Sequence, residues 1–224
     1  FGCATILAVE LIIPVLDEFS KNYLKGETYH FFDNFIRAAF LEEFFKFTVI
    51  VFYCTRKADF DEPMDGLVYG VAASLGFAAY ENIGYVLSFY KEPSFNIAIV
   101  RAFSAVPMHA LCGVIMGFLI QQTIFEKEHN YLNLILALLI PVGMHGLYNY
   151  SYASSLISNQ VANVILFVFF LRAIFMFRGL KSKQLEGIIS HKKYFIINKN
   201  IFVQVSTTVL LFYLILTYIV NIVL

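Results

Sequence analysis

Long apolar runs separated by short polar stretches dominate the chain. Crossing a bilayer as a helix takes about 20 apolar residues. Runs of that kind lie at Phe1–Leu16, Phe35–Cys54, Gly66–Tyr90, Phe95–Thr123, Tyr131–Ser155, Val161–Phe177 and Ile201–Leu224. They predict an all-α polytopic transmembrane helical bundle of about seven spans, with six and eight as alternatives, forming one integral membrane domain over 1–224. The short first run reads as the remnant of a longer span. It lacks the basic leader and small-x-small site of a signal peptide. Residues 178–200 form the only sizeable polar stretch and read as a solvated loop.

Composition agrees with a membrane solvent. Apolar residues make up 59% of the 224 and charged residues 14%, where soluble domains are nearer half apolar and a quarter charged. Sixteen basic residues balance sixteen acidic ones, which leaves no footprint for a nucleic acid. Cys3, Cys54 and Cys112 make neither a disulfide framework nor a CxxC metal spacing. With Trp absent, tyrosines near segment ends (Tyr23, Tyr29, Tyr90, Tyr131, Tyr152) are left to anchor the interfaces.

Loop charge sets an expected sidedness. The loops at 55–64, 124–130 and 178–200 hold nine basic residues against five on the other side. By the positive-inside rule the 178–200 loop is cytoplasmic and both termini are outside. The expected location is the plasma membrane.

Ionisable groups within spans usually mark a pathway or a site. Here Glu42, Glu43 and Lys46 fall in the second run, Glu81 and Asn82 in the third, His109 in the fourth, and His145 with Asn149 in the fifth. All come out at similar depth on the expected outer half, as one polar cavity open to the outside would require. Glu42 with Lys46, and His145 with Asn149, are four apart and share helix faces. Gly66, Gly70, Ser74 and Ala78 recur every fourth residue, as do His109, Gly113 and Gly117; small residues at that spacing let helices approach closely. Pro107 is expected to kink the fourth span and Pro141 the fifth.

Blander roles compete. Lys46 neutralises a glutamate, Asp65 N-caps the third helix, and Arg101 snorkels to the interface. A pure structural role explains a lone histidine better than two histidines and a Glu-Glu pair at one depth.

In a low-dielectric cavity two adjacent carboxyls resist double ionisation, so one can take a proton from water. Glu42 or Glu43 is then the candidate base. His109, His145 and Asn149 are candidate donors to an oxyanion or a leaving amine. Two histidines with a glutamate also make a zinc set with an open position. A proton-coupled transporter would show an inverted repeat, which is not found, and a scaffold with a degenerate site would have lost a Glu or a His.

Glu42-Glu43-Phe-Phe-Lys46 resembles the EExxK motif of the PrsW family of intramembrane proteases. Asp65–Gly70 through Gly76–Asn82, Arg101–His109 with Gly117, and His145–Asn149 resemble its further blocks, in order over residues 35–155. The resemblance implies a membrane endopeptidase with a catalytic four-helix core at 35–155, acting on a single-pass membrane protein in the lipid bilayer. Site-1 cleavage of an anti-sigma factor, on the extracytoplasmic side, is the activity it suggests. Matched motif by motif, the catalytic positions are Glu42, Glu43, His109 and His145, with Lys46, Glu81, Asn82 and Asn149 in support. The cofactor stays open: a glutamate-activated water without metal is favoured, and zinc on His109, His145 and a Glu is the alternative. Prenyl-protease relatives carry Arg four residues after the second Glu, whereas Lys46 follows here after three.

Overall fold

The computed structural model describes residues 2–88, 95–126, 131–187, 197 and 199–223. Lys91, Lys127, Lys192 and Lys193, four of the basic residues counted for sidedness, lie outside the described residues, as does Tyr90. The described chain is helical, with no strand among the described residues.

Helix α1 (Gly2–Tyr23) continues past Asp17, so the first run is longer than its apolar stretch. A continuous helical rod follows, from α2 (Gly26–Phe31) through a π-helical segment (Phe32–Phe40) into α3 (Leu41–Phe52). A 3-10 turn at Cys54–Arg56 leads to α4 (Pro63–Ser88). Asp65 does not cap this helix as its first flanking residue. It sits one turn in and reaches back, accepting the backbone N–H groups of Asp61 (2.9 Å) and Glu62 (2.8 Å), the reach-back half of a capping box.

The fourth run is two helices, α5 (Phe95–Phe103) and α6 (Ala105–Phe125), broken at Ser104. The break has a local cause. Pro107 has no N–H to offer the carbonyl four residues back, and a proline is tolerated only in the first turn of a helix. The chain therefore restarts at Ala105, with Met108 N–H bonding the Ser104 carbonyl at 3.1 Å. Pro141, by contrast, lies within an unbroken α7 (Tyr131–Ala153). Helix α8 (Gln160–Leu185) runs beyond Phe177, so the first part of the expected 178–200 loop is helix. Helix α9 spans Lys199–Val223.

Three stretches among the described residues are long and apolar enough to cross a membrane: Phe95–Phe125, Tyr131–Ala153 and Gln160–Leu185. The count of about seven is thus not reproduced by length and apolarity alone.

Helix α6 is the centre of the bundle, touching α3, α4, α5, α7 and α8, and it is buried nearly all round, as an all-apolar helix must be. Its closest neighbour is α4. A methyl group built on Gly70 would strike the Gly113 carbonyl, and one on Gly117 the Gly66 carbonyl. The expected small-residue stripes therefore meet each other backbone to backbone. Lipid-facing side chains fall on the periphery, where Val164, Phe167, Phe170 and Phe175 of α8 are exposed.

Candidate functional site

The face of α3 that points inward reads 42, 43, 46, 47, 50, 51, a stripe with the helical period. Its lower part is apolar (Phe47, Ile50, Val51) and its upper part is Glu42, Glu43 and Lys46. Packing that holds the apolar part against α4, α6 and α7 thereby carries three charged side chains inside. Lys46 and Glu43 are fully enclosed and Glu42 is 8% exposed.

Their partners come from α6, α7 and α4. Lys46 Nζ donates to Glu43 Oε1 (2.8 Å) and to His109 Nδ1 (2.9 Å), and lies 3.9 Å from Glu42 Oε2. The ring of Phe77 covers the ammonium at 4.2 Å. An ammonium only donates, so His109 Nδ1 is the acceptor. Its Nε2 then carries the proton and donates to Glu81 Oε2 at 3.0 Å. His145 donates from Nδ1 to Glu43 Oε1 at 2.9 Å, because a carboxylate only accepts. That leaves His145 Nε2 with a bare lone pair, 3.9 Å from Glu42 Oε2. The two imidazoles stand perpendicular, with centroids 5.0 Å apart.

The two glutamates thus differ. Glu43 Oε1 accepts from both Lys46 and His145 and ties α3 to α7. Glu42 Oε2 has no hydrogen-bond partner although it is buried, and Glu42 lines a cavity of about 600 Å³. His109, His145, Glu81, Arg101 and Asn149 share that cavity's wall, with Ile6, Val9, Phe77 and Tyr148 as its apolar part. The volume lies within the range of small-molecule clefts.

Arg101 is more than an interfacial anchor. Its Nη2 donates to Glu81 Oε2 (2.7 Å), its Nε donates to Asn82 Oδ1 (2.9 Å), and its guanidinium stacks on Tyr85 at 3.7 Å. Sequence reading undervalued it because the break at Ser104, which turns α5 so that Arg101 meets Glu81, is invisible in the hydropathy. At the cavity mouth Arg37 pairs with Asp33, and with Asp17 at 3.2 Å. Asp65 is absent from the cavity wall.

Glu42, His109 and His145 each offer a ligand atom within 4.8 Å of the others, a donor set that fits zinc. The unpartnered Glu42 Oε2 and the bare His145 Nε2 suit it. His109 suits it less, since Lys46 and Glu81 occupy both of its ring nitrogens.

On the cytoplasm-distant end expected for α7, Glu27 of α2 accepts hydrogen bonds from Ser154 Oγ (2.5 Å), Tyr150 (2.8 Å) and Ser155 Oγ (3.1 Å). These bonds, Ser154 first, hold its carboxyl below the ordinary range against the opposing effect of partial burial.

A helical membrane bundle that buries a carboxylate–imidazole centre beside a polar cavity defines the class to which the chain belongs. Comparison with known proteins is more specific. The family model described as PrsW family intramembrane metalloprotease matches residues 1–174, wider than the 35–155 stretch that carries the motifs. Protease PrsW of Oceanobacillus iheyensis is 36% identical over 148 residues, 65% of this chain and 66% of that protein. Protease PrsW of Bacillus subtilis is 36% identical over 169 residues, 74% of each chain. That of Geobacillus kaustophilus is 42% identical over 116 residues, 52% of this chain and 50% of that one. The chain thus spans just under two thirds of the first of these relatives, about three quarters of the second and half of the third. No solved structure matches it. The chain belongs to the PrsW family of membrane proteases.

Proposed function

We propose that the chain is a membrane-embedded endopeptidase that hydrolyses a peptide bond of a single-pass membrane protein, with Glu42 as the base that activates water. The observation that carries this reading is Glu42 itself, which lines the cavity and has a buried, unpartnered Oε2 3.9 Å from His145 Nε2. Such a carboxylate keeps a proton-accepting oxygen free beside a cavity, which is the position a general base needs.

In this scheme Glu42 takes a proton from water as the water oxygen bonds to the scissile carbonyl carbon. The carbonyl π electrons move to oxygen, and donors on the cavity wall meet the resulting oxyanion. The Asn149 amide on the cavity wall is the candidate donor, Arg101 adds positive charge, and His109 Nε2–H joins them where it exchanges Glu81 for the oxyanion. Collapse of the tetrahedral adduct restores the carbonyl and breaks the C–N bond. Glu42 then returns its proton to the leaving amine and is a carboxylate again. Glu43 and Lys46 do not meet substrate; they orient His145 and His109. Lys46 also puts a cation next to the carboxylates, supplying charge that a metal would otherwise bring, and this supports the metal-free form.

A second reading rests on the three-donor set of Glu42, His109 and His145. Zinc held there would polarise the carbonyl and acidify its water. His109 would have to exchange Glu81 or Lys46 for the metal.

Sidedness by loop charge puts the cavity toward the extracytoplasmic face of the plasma membrane, which suits site-1 cleavage of a membrane-anchored anti-sigma factor. The test is cleavage of tagged single-pass proteins, such an anti-sigma factor among them, by the purified chain with and without a zinc chelator. Glu42→Gln is expected to lower the rate by about 10²–10⁴-fold while the chelator leaves it unchanged. Near-normal cleavage by Glu42→Gln would remove Glu42 from the chemistry. Cleavage lost to chelator and restored by zinc would assign the metal form.

A further inference from the structure

Helix α8 is fully buried only near its ends. Its buried residues are Ala162 and Ile165 at one end and Leu180 at the other. Gln184 adds a hydrogen bond to Glu62 at 2.7 Å, fastening the second end to the start of α4. Between these points Leu166, Phe169, Ala173 and Met176 pack half-buried against the cluster formed by α6 and α7, and beside that contact a groove of about 1150 Å³ opens between α8, α4 and α6. Its walls are apolar, including Val71 and Leu75 of α4, Ala110 and Val114 of α6, and Phe170 and Ala173 of α8. Two charged side chains line it, Arg178 and Lys181, both at the same end. Both are exposed, and neither has an ion-pair partner among the described residues.

We propose that this groove holds one anionic phospholipid of the cytoplasmic leaflet, its headgroup phosphate on Arg178 and Lys181 and an acyl chain between α8 and the α4–α6 pair. The dimensions agree. Arg178 and Phe167, both lining residues, are eleven positions apart, about 17 Å along a helix, and one leaflet of hydrocarbon is about 15 Å deep. The charge agrees too. Basic pockets between transmembrane helices on the cytoplasmic side suit anionic headgroups. A substrate helix is the other apolar body of the right length, but it fits the charge poorly. Single-pass segments carry Lys and Arg on their cytoplasmic flank, and these would face Arg178 and Lys181 across the groove. The dry walls reject water and a free phosphate ion, which has no chain to fill the space.

The consequence reaches the active centre through packing. The walls the lipid would brace are the outer faces of α4 and α6, whose other faces carry Glu81 and His109. The lipid therefore fills a gap beside those two helices.

The test is native mass spectrometry of the full chain released from detergent, titrated separately with phosphatidylglycerol and phosphatidylcholine. One phosphatidylglycerol is expected to be retained in preference to phosphatidylcholine. Arg178→Gln with Lys181→Gln should weaken phosphatidylglycerol retention by about 30-fold, near fivefold for each cation, and leave phosphatidylcholine as it was. Ala173→Phe, which fills the groove and keeps both cations, should weaken both lipids, and glycerol phosphate without chains should not compete. Equal retention of the two lipids, or wild-type retention in both variants, overturns the proposal. Displacement of phosphatidylglycerol by a transmembrane peptide with basic flanks would give the groove to a protein helix and overturn it as well.

Discussion

Replacing Lys46 with methionine tests whether the buried charge cluster is a mutually dependent unit. The substitution keeps an unbranched, flexible apolar stem and removes the ammonium. In the structure that ammonium is enclosed, bonded to Glu43 at 2.8 Å and to His109 at 2.9 Å, and capped by Phe77. Without it the Glu43 carboxylate keeps one donor, His145, in a site with no solvent. Removing one member of a buried ion pair costs about 3–5 kcal/mol, because the other charge stays desolvated. For a chain of this size about 2–4 °C accompanies each kcal/mol, so the expected fall in Tm is on the order of 10 °C. The double variant Lys46→Met with Glu43→Gln removes both charges and keeps an oxygen for His145, and at least half of the loss should return. The assay is built into the chain: Cys54 and Cys112 are buried free thiols. A thiol-reactive fluorophore in detergent therefore reports unfolding as they emerge, with exposed Cys3 as a constant background. A Lys46→Met protein that melts within 1 or 2 °C of wild type, or a double variant less stable than the single, would refute the reasoning.

Other consequences can be checked on the same preparation. Gly117→Leu puts a side chain where even a methyl group strikes the Gly66 carbonyl, so it should cost on the order of 3 kcal/mol or more by thermal melting. Gly179→Ala meets nothing within 4 Å and should stabilise α8 by about 0.5–1 kcal/mol. Arg101→Gln should lower kcat/KM about tenfold to a hundredfold through loss of charged hydrogen bonds to Glu81. Arg101→Lys should recover part of it, and full activity in Arg101→Gln would return that residue to a snorkelling role. Glu27, whose folded carboxyl is held below the ordinary glutamate value of 4.5, contributes stability that is fully present above that value. The contribution is lost as pH falls through the lowered folded value. The gap in Tm between wild type and Glu27→Gln should therefore be present at pH 7 and close on acidification below about 4.5; a gap independent of pH would rule the carboxylate out as its cause.

Hydropathy and spacing made the membrane bundle and the gathering of Glu42, Glu43, Lys46, His109 and His145 legible, because burial of a polar group is expensive enough to mark it in an apolar run. The four-residue pairing of Glu42 and Lys46 was legible too, but the tighter bond is to Glu43. Which neighbour an ammonium prefers depends on the rotamers that Phe77 and His109 leave it, and these come from other helices. The same holds for the difference between Glu42 and Glu43: adjacent in sequence, they are told apart only by which one His145 reaches. The helix break was expected from Pro107 but lies at Ser104, since a proline spoils the bond four residues before it. The lengths of α1 and α8 were underestimated because their polar ends, Asp17–Tyr23 and Arg178–Leu185, continue as helix beyond the apolar stretch. Apolar length measures where lipid is, and helix length does not have to follow it.

The α2–π–α3 rod and α7 are bonded at two levels, Glu43 to His145 inside and Glu27 to Tyr150 and Ser154 further along. His145 and Ser154 are nine residues apart, about 13 Å of helix. Two elements pinned at points that far apart can neither hinge nor twist about a single contact, so this side of the chamber behaves as a stiff plate. Helix α5, by contrast, has no buried residue and packs chiefly on α4 and α6, besides the Arg101 bonds to Glu81 and Asn82. The chamber is therefore mechanically lopsided: stiff where α3 and α7 are doubly pinned and least enclosed along α5.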